Sequence, residues 1–180
     1  MERLFTDVMI DIETLDTTPT SVILSIGAIP FNISDGECGQ EYSSKCDVSM
    51  QVRDGHTIGL ETLKWWIEQD ANVLASSLSG GEWVRRSVEH LNDFIIEKCV
   101  DEVRLWSNSP SFDLVILKNA LNNPWPFPYW RERDVRTFVA IRSETAKHFA
   151  RKVTHDPVDD CLRQIDMVCA VYWDLNGITI

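Results

Sequence analysis

Two β-branched apolar runs, Val8–Ile12 and Val22–Phe31, flank the turn-rich segment Asp16-Thr17-Thr18-Pro19-Thr20, and this pairing constrains the fold more than any other feature. Apolar runs bounded by such turn formers read as strands, and a short connection makes them antiparallel neighbours. Tyr42–Val48 is expected to add a third strand and complete a meander. The pattern then changes: Glu61–Gln69 and Trp83–Lys98 carry helical spacing, Val103–Trp106 reads as a short strand, and a helix is expected from Ser111 to about Leu121. Asn122–Trp130 holds three prolines and four aromatics, too many prolines for an element interior, and reads as a loop. Asp134–Val139 is expected to be the last strand, followed by a basic helical stretch. Asp156 and Pro157 then supply an N-cap and a proline at the first helical position, opening a helix to about Leu175. Strands first and alternating units afterwards imply an α/β fold with a mixed central sheet, antiparallel then parallel, and helices on both faces.

The 180 residues, 44% apolar and 25% charged, suit one domain over residues 1–180 with a full core. No apolar run approaches the ~18 residues needed to span a bilayer, and no charged segment followed by an apolar stretch opens the chain, so a cytoplasmic protein without membrane contact is expected. The five cysteines are odd in number and form no C-x-x-C pair, which points to reduced thiols rather than disulfides or a zinc ribbon. Cys161 and Cys169 fall on the apolar side of the last helix as small core residues. A net charge of −11 argues against a passive nucleic-acid-coating protein. The charge is uneven, however: residues 1–70 carry 13 acidic and 4 basic side chains, whereas residues 131–152 carry 7 basic and 3 acidic. Arg142 and Lys147 in that basic stretch are candidates for guiding a polyanion, against the alternative of an ordinary solvated face.

Asp11-Ile12-Glu13 ends the first apolar run. Residues two apart on a strand share a face, so both carboxylates project to one side and Ile12 to the other. Paired hard oxygen ligands suit Mg²⁺ or Mn²⁺. The same spacing in Asp35-Gly36-Glu37 reads as a turn, so the first pair becomes informative only with its company. Asp113 follows the Val103–Trp106 strand and begins a helix, where a carboxylate is favourable anyway. His155 and Asp160 open the last helix. Four carboxylates and one histidine therefore mark three element ends.

In this order, Asp11-Ile12-Glu13-Thr14, then Ser107-Asn108-Ser109-Pro110-Ser111-Phe112-Asp113, then His155-x4-Asp160, the chain resembles the DEDDh 3′–5′ exonucleases of the ribonuclease T-like branch, with a ribonuclease H-like fold. Thr62–Trp66 and Trp130–Thr137 look like a phage-type subgroup that also includes a mycobacterial exoribonuclease. The resemblance implies two divalent cations, Mg²⁺ or Mn²⁺, with Asp11 bridging, Glu13 and Asp160 completing one site and Asp113 supporting the other. Helical periodicity does not decide between Asp159 and Asp160; Asp159 suits a capping-box partner of Asp156, and the resemblance selects Asp160. His155 suits a general base, because an imidazole titrates near neutral pH. By resemblance Thr14 and Leu15 touch the terminal nucleotide, with Leu15-Asp16 standing where the commoner motif continues with Thr-Gly. Asn108 and Ser109 are expected to line the same cleft, against the alternative of ordinary turn formers at a strand end.

On the expected Glu61–Gln69 helix, Leu60, Leu63 and Ile67 define a buried stripe with Trp66 at its edge and Trp65 nearly opposite. Trp65 then needs a separate partner: a nucleobase, a second subunit in a homodimer, or the aromatics of the Asn122–Trp130 loop. The activity implied is hydrolysis at single-stranded or 3′-tailed nucleic-acid ends, releasing nucleoside 5′-monophosphates by a two-metal mechanism. The alternatives are a catalytically weak nucleic-acid-binding or host-interaction protein on the same fold, and an endonuclease. RNA and DNA are not distinguished by these motifs.

Overall fold

The computed structural model describes residues 4–69, 74–75, 77–121, 123–149 and 154–178. Five strands, β1 (Phe5–Thr14), β2 (Ile23–Phe31), β3 (Tyr42–Lys45), β4 (Cys99–Ser107) and β5 (Glu132–Asp134), form one sheet in the order β3-β2-β1-β4-β5. The β1/β2 and β2/β3 pairs are antiparallel, and β4 and β5 continue in parallel. The mixed sheet expected from the pattern is the one observed. Among the described residues its helices include α1 (Val48–Arg53), α2 (Leu60–Gln69), α3 (Val84–Lys98), α4 (Asp113–Ala120), α5 (Val135–Val139), α6 (Ser143–Phe149) and α7 (Pro157–Leu175).

The period-2 alternation of β1 divides the core. Val8, Ile10 and Ile12 face α3 and α4, packing with Val88, Leu91, Ile95, Leu114 and Leu117. Met9 faces the other way, into a layer built with Val158, Cys161, Ile165, Val168 and Cys169 of α7. Asp7, Asp11 and Glu13 share the parity of Met9, so the acidic side of β1 lies under α7. Asp7, at the start of the strand, is fully buried and saturated with donors: Arg104 Nε at 2.7 Å, Arg104 Nη2 at 2.6 Å and Trp106 Nε1 at 2.7 Å. It ties β1 to β4.

One glycine sets how closely α7 approaches the sheet. Gly27 pairs with Asp11 across the β1/β2 ladder, and a Cβ there would stand 2.6 Å from the Pro157 carbonyl carbon and 2.8 Å from the Val158 nitrogen. Only a residue without a side chain lets the first turn of α7 rest on β2 beside Asp11.

Two expected strands are corrected. Tyr42–Val48 stops at Lys45, because Asp47 accepts a hydrogen bond from the Met50 amide at 2.7 Å and caps α1 at Val48. Asp134–Val139 is not a strand: β5 ends at Asp134, whose carboxylate accepts from the Arg136 amide at 3.2 Å and starts α5. Val135, Thr137 and Val139 alternate as in a strand, but the cap outweighs their β propensity. The basic stretch that follows is helical in α6, and its end at 150–152 lies outside the described residues. No helix among the described residues is long and apolar enough to cross a membrane.

Candidate active site

Three element ends bring the acidic residues together. Asp11 and Glu13 rise from the C-terminal half of β1, Asp113 opens α4, and Asp160 lies in the first turn of α7. The Asp113 carboxylate accepts from Ser107 Oγ at 2.5 Å and from the Ile12 amide at 3.3 Å, which holds it at the seam between β1 and β4. Asp11 Oδ1 accepts from Gln164 Nε2 at 2.6 Å, and Gln164 stands one turn beyond Asp160. Asp160 is buried and accepts from Arg163 Nε at 3.0 Å, whereas Asp159 points to solvent. Ligand atoms of Glu13, His155 and Asp160 lie within 4.8 Å of one another. Asn108, Arg136 and Phe112 complete a hollow of about 220 Å³ around this group.

His155 reaches the hollow from a left-handed backbone, φ 58°, just before Asp156 caps α7 through the Val158 and Asp159 amides. Histidine is among the residues that tolerate this conformation. Its ring meets Trp65 edge to face, with centroids 4.8 Å apart and planes at 89°. Trp66 backs the pair: it is 1% exposed, contacts both rings, and donates its indole N–H to the Thr14 carbonyl at 2.9 Å. The expected stripe on α2 is thereby corrected. Leu60 and Ile67 are 64% and 60% exposed, and the buried face is Leu63 and Trp66. Nor do the aromatics of the 123–130 loop account for Trp65, since Trp125 meets Phe127 edge-on and Tyr129 meets Trp130 edge-on.

Beside the carboxylates, a second hollow of about 370 Å³ shares Ile12, Glu13 and Phe112 with the first and is walled by Thr14, Thr62 and Trp65. It is sized for a nucleotide-like group, polar on the carboxylate side and aromatic on the other. Thr14 lines it, with its own hydroxyl donated to the Asp16 carbonyl at 2.8 Å. Leu15 does not. It is 1% exposed, packs with Val22, Leu24 and Trp66, and has its amide on Val22 and its carbonyl accepting from Gly59. An apolar residue following the acidic segment turns into the core, so the expected contact of Leu15 with a nucleotide is corrected.

Arg142 and Lys147 are likewise not brought to the hollow. Arg142 pairs with Asp174 at 3.5 Å, 14 residues along α7 from Asp160, or about 21 Å at 1.5 Å per residue. Lys147 pairs with Glu144 on the exposed side of α6. Among the described residues, the cations that reach the site are Arg136, whose Nε donates to Asn108 Oδ1 at 3.3 Å, and Arg163. Charge counting over a 22-residue window cannot separate Arg136 from Arg142. Arg163 and Gln164 were legible in principle, as residues three and four beyond Asp160 on one helix face.

The carboxylates of the site lack the donors that surround Asp7. Burial, and then repulsion from Asp160, Asp113 and Asp156, pushes the Glu13 carboxyl up to about 8. Burial pushes Asp113 up to about 6 against the hydrogen bonds from Ser107 and Ile12 and the charge of Arg136. Asp11 is raised well above the carboxylate range by burial and by Asp113 and Glu13. Crowded carboxylates with too few donors and cations must either hold protons or bind positive ions. An oxygen-rich set with one imidazole fits Mg²⁺ or Mn²⁺.

This predicts a pH dependence of stability. A carboxyl whose folded pKa exceeds its unfolded value binds its proton more tightly in the native state, so stability is full below the unfolded value and is lost as pH rises through the folded one. For Glu13 that window runs from 4.5 to about 8. In EDTA the thermal midpoint should be lower at pH 8 than at pH 5.5 by about 3–6 °C. Saturating Mn²⁺ should remove the difference, and Glu13→Gln should shrink it; a Glu13→Gln protein with the full wild-type slope would assign the effect elsewhere.

The fold is that of the ribonuclease H-like exonucleases. Schizosaccharomyces pombe Pop2p, in a form with Mg²⁺ and Mn²⁺ bound, superposes with a TM-score of 0.69 at 12% identity over 98% of this chain and 86% of that one. Escherichia coli exonuclease I in complex with a 5cy-dT13 oligonucleotide gives 0.67 at 15% identity, covering 98% of this chain and 42% of that one. The nuclease domain of 3′hExo, a DEDDh family member bound to rAMP, gives 0.62 at 13% identity, covering 99% and 96%. No curated protein matches by sequence. The model of the 3′-5′ exoribonuclease Rv2179c-like domain family matches residues 6–173, and the chain belongs to that family.

Proposed function

We propose that this chain is a 3′–5′ exonuclease acting on single-stranded or 3′-tailed ends and releasing nucleoside 5′-monophosphates. The observation that carries the reading is the convergence of Asp11, Glu13, Asp113, Asp160 and His155 on one hollow beside a nucleotide-sized one. The family description favours RNA as substrate.

Asp11, Glu13, Asp113 and Asp160 would hold two divalent cations, which when bound supply charge neutralisation at the phosphate and activation of water. The work of the chain itself is positioning. Ser107 and the Ile12 amide fix Asp113, Gln164 fixes Asp11, and Arg163 fixes Asp160. A ring nitrogen of His155, next to Glu13 and Asp160, takes the proton of the attacking water as general base. Arg136 and Arg163 add positive charge on the rim, where a phosphodiester enters.

Trp65, 40% exposed at the mouth of the larger hollow, stacks on the terminal base. Base–aromatic stacking is worth about 1–3 kcal/mol, so Trp65→Ala should weaken oligonucleotide binding by about 5- to 150-fold without changing the molecular mass in solution. A change from dimer to monomer would assign the ring to a subunit interface instead.

The function is tested by product analysis on matched 5′-labelled RNA and DNA oligonucleotides with Mg²⁺ or Mn²⁺. A ladder shortening from the 3′ end, mononucleotide 5′-phosphate products and intact circular substrate are expected. Cleavage of the circle would make the protein an endonuclease, and no turnover with either metal would leave a binding protein.

A further inference from the structure

A cavity of about 430 Å³ lies outside the carboxylate site. Its walls are the 54–56 turn, Thr20, the start of α3 at Trp83 to Arg85, and the C-terminal end of α4 at Asn119. We propose that this cleft holds the sugar-phosphate backbone of the substrate strand upstream of the end being cut. The proposal rests on the exonuclease reading above and names a second contact for the same substrate.

Position comes first. The helix that opens with Asp113 in the active site delivers Asn119 to the cleft six residues later, about 9 Å along the axis. At about 3.4 Å per stacked nucleotide, that is two to three nucleotides from the reacting end. Threonine hydroxyls line both places, bonded in part to the Asp16 carboxylate, which accepts from the Thr17 amide at 2.7 Å and the Thr18 hydroxyl at 3.2 Å. Thr17 lines the nucleotide-sized hollow, the hydroxyls of Thr18, Thr20 and Thr57 bond to one another at 2.8–3.2 Å, and Thr20 lines the cleft.

The chemistry of the walls is that of a phosphate and sugar site. Arg85 lies over the Trp83 ring at 4.5 Å from its centroid, with no carboxylate partner among the described residues, and its Nε is buried without any hydrogen-bond acceptor. The neighbouring acid, Glu82, is engaged by Arg86 at 3.3 Å and by His90 at 3.3 Å, so it does not neutralise Arg85. A buried guanidinium N–H without an acceptor carries a free-energy cost that an arriving phosphate oxygen removes. Helix α3 adds to this: its N-cap is Trp83, which offers no side-chain acceptor, so the positive end of a 15-residue helix opens beside Arg85. His56 Nδ1 lies 3.3 Å from the Ser21 carbonyl; donating there leaves Nε2 as an acceptor, suited to a ribose hydroxyl. Asp54 is the one acid in the lining, and it accepts from Trp83 Nε1 at 3.2 Å, which holds the indole under Arg85.

The test separates long from short substrates. Asn119 is exposed, so Asn119→Glu places a negative charge in the cleft without disturbing the core; Arg85→Ala removes the cation. Binding of a fluorescent 12-nucleotide single-stranded RNA, measured by anisotropy in Ca²⁺ without turnover, should weaken by about tenfold in either variant. For Arg85→Ala the salt dependence should lose about one counterion. Hydrolysis of a dinucleotide, too short to reach the cleft, should be unchanged in both. Unchanged 12-mer affinity in Asn119→Glu, or equal losses on dinucleotide and 12-mer in both variants, would overturn the proposal. Wild-type protein that binds the 12-mer through Arg85 but hydrolyses neither substrate would retain the cleft and overturn the nuclease reading alone.

Discussion

Asp11→Asn should abolish turnover, by at least about 10³-fold, while leaving the protein folded. The magnitude follows from the proposed role: Asp11 is electrostatically coupled to both Asp113 and Glu13, so under the two-cation reading losing its charge would weaken both proposed cation positions, and the several kcal/mol lost at each would cost a factor of ten in rate per about 1.4 kcal/mol. Asparagine keeps the acceptor that Gln164 Nε2 reaches at 2.6 Å, so the contact between β1 and α7 survives. The metal-free variant should be slightly more stable than wild type at neutral pH, because asparagine folds without the proton uptake that the raised Asp11 carboxyl requires. Steady-state hydrolysis of a labelled oligonucleotide and a thermal melt in EDTA check the two halves. Near-wild-type turnover in metal-replete buffer would sink the assignment.

His155→Ala should cost about 10²- to 10⁴-fold in turnover, the usual worth of general-base assistance. Because one ring nitrogen lies within 4.8 Å of a carboxylate oxygen of Glu13 and of Asp160, the geometry also suits a metal ligand, and the two roles separate by metal titration. A general base leaves Mn²⁺ affinity intact when removed, whereas a ligand does not. The pH profile adds a second check: the acidic limb of turnover should disappear in His155→Ala if that limb reports the imidazole. A loss below about fivefold with chemistry rate-limiting would make His155 a capping-loop residue only.

Much of the fold was legible because strand and helix periods survive in the sequence. The alternation of Val8, Ile10 and Ile12 against Met9, Asp11 and Glu13 puts both acids on one face, and the two core layers observed on either side of β1 are that alternation made physical. The cap at Asp156 and the proline after it marked the start of α7, which is observed at Pro157. What failed did so where a local cap or a tertiary contact outweighed the pattern. Asp134 turned a strand-like Val-x-Thr-x-Val into a helix, and Asp47 ended β3 early.

The burial of Trp66 rather than Leu60 and Ile67 depends on its indole reaching the Thr14 carbonyl, a contact 52 residues distant that no local period encodes. Within the site, periodicity left Asp159 and Asp160 equivalent. The structure distinguishes them because Gly27 lets α7 settle on β2, turning Asp160 and Gln164 toward Asp11. A glycine opposite an acidic strand position is a usable signal only when the helix it admits is already known.

Crystals grown with Mn²⁺ test the proposed pair of cations directly. An anomalous difference map should show two peaks in the hollow, one shared by Asp11, Glu13 and Asp160 and the other by Asp11 and Asp113. A map in which Mn²⁺ binds elsewhere on the protein but touches neither Asp11 nor Glu13 would contradict it.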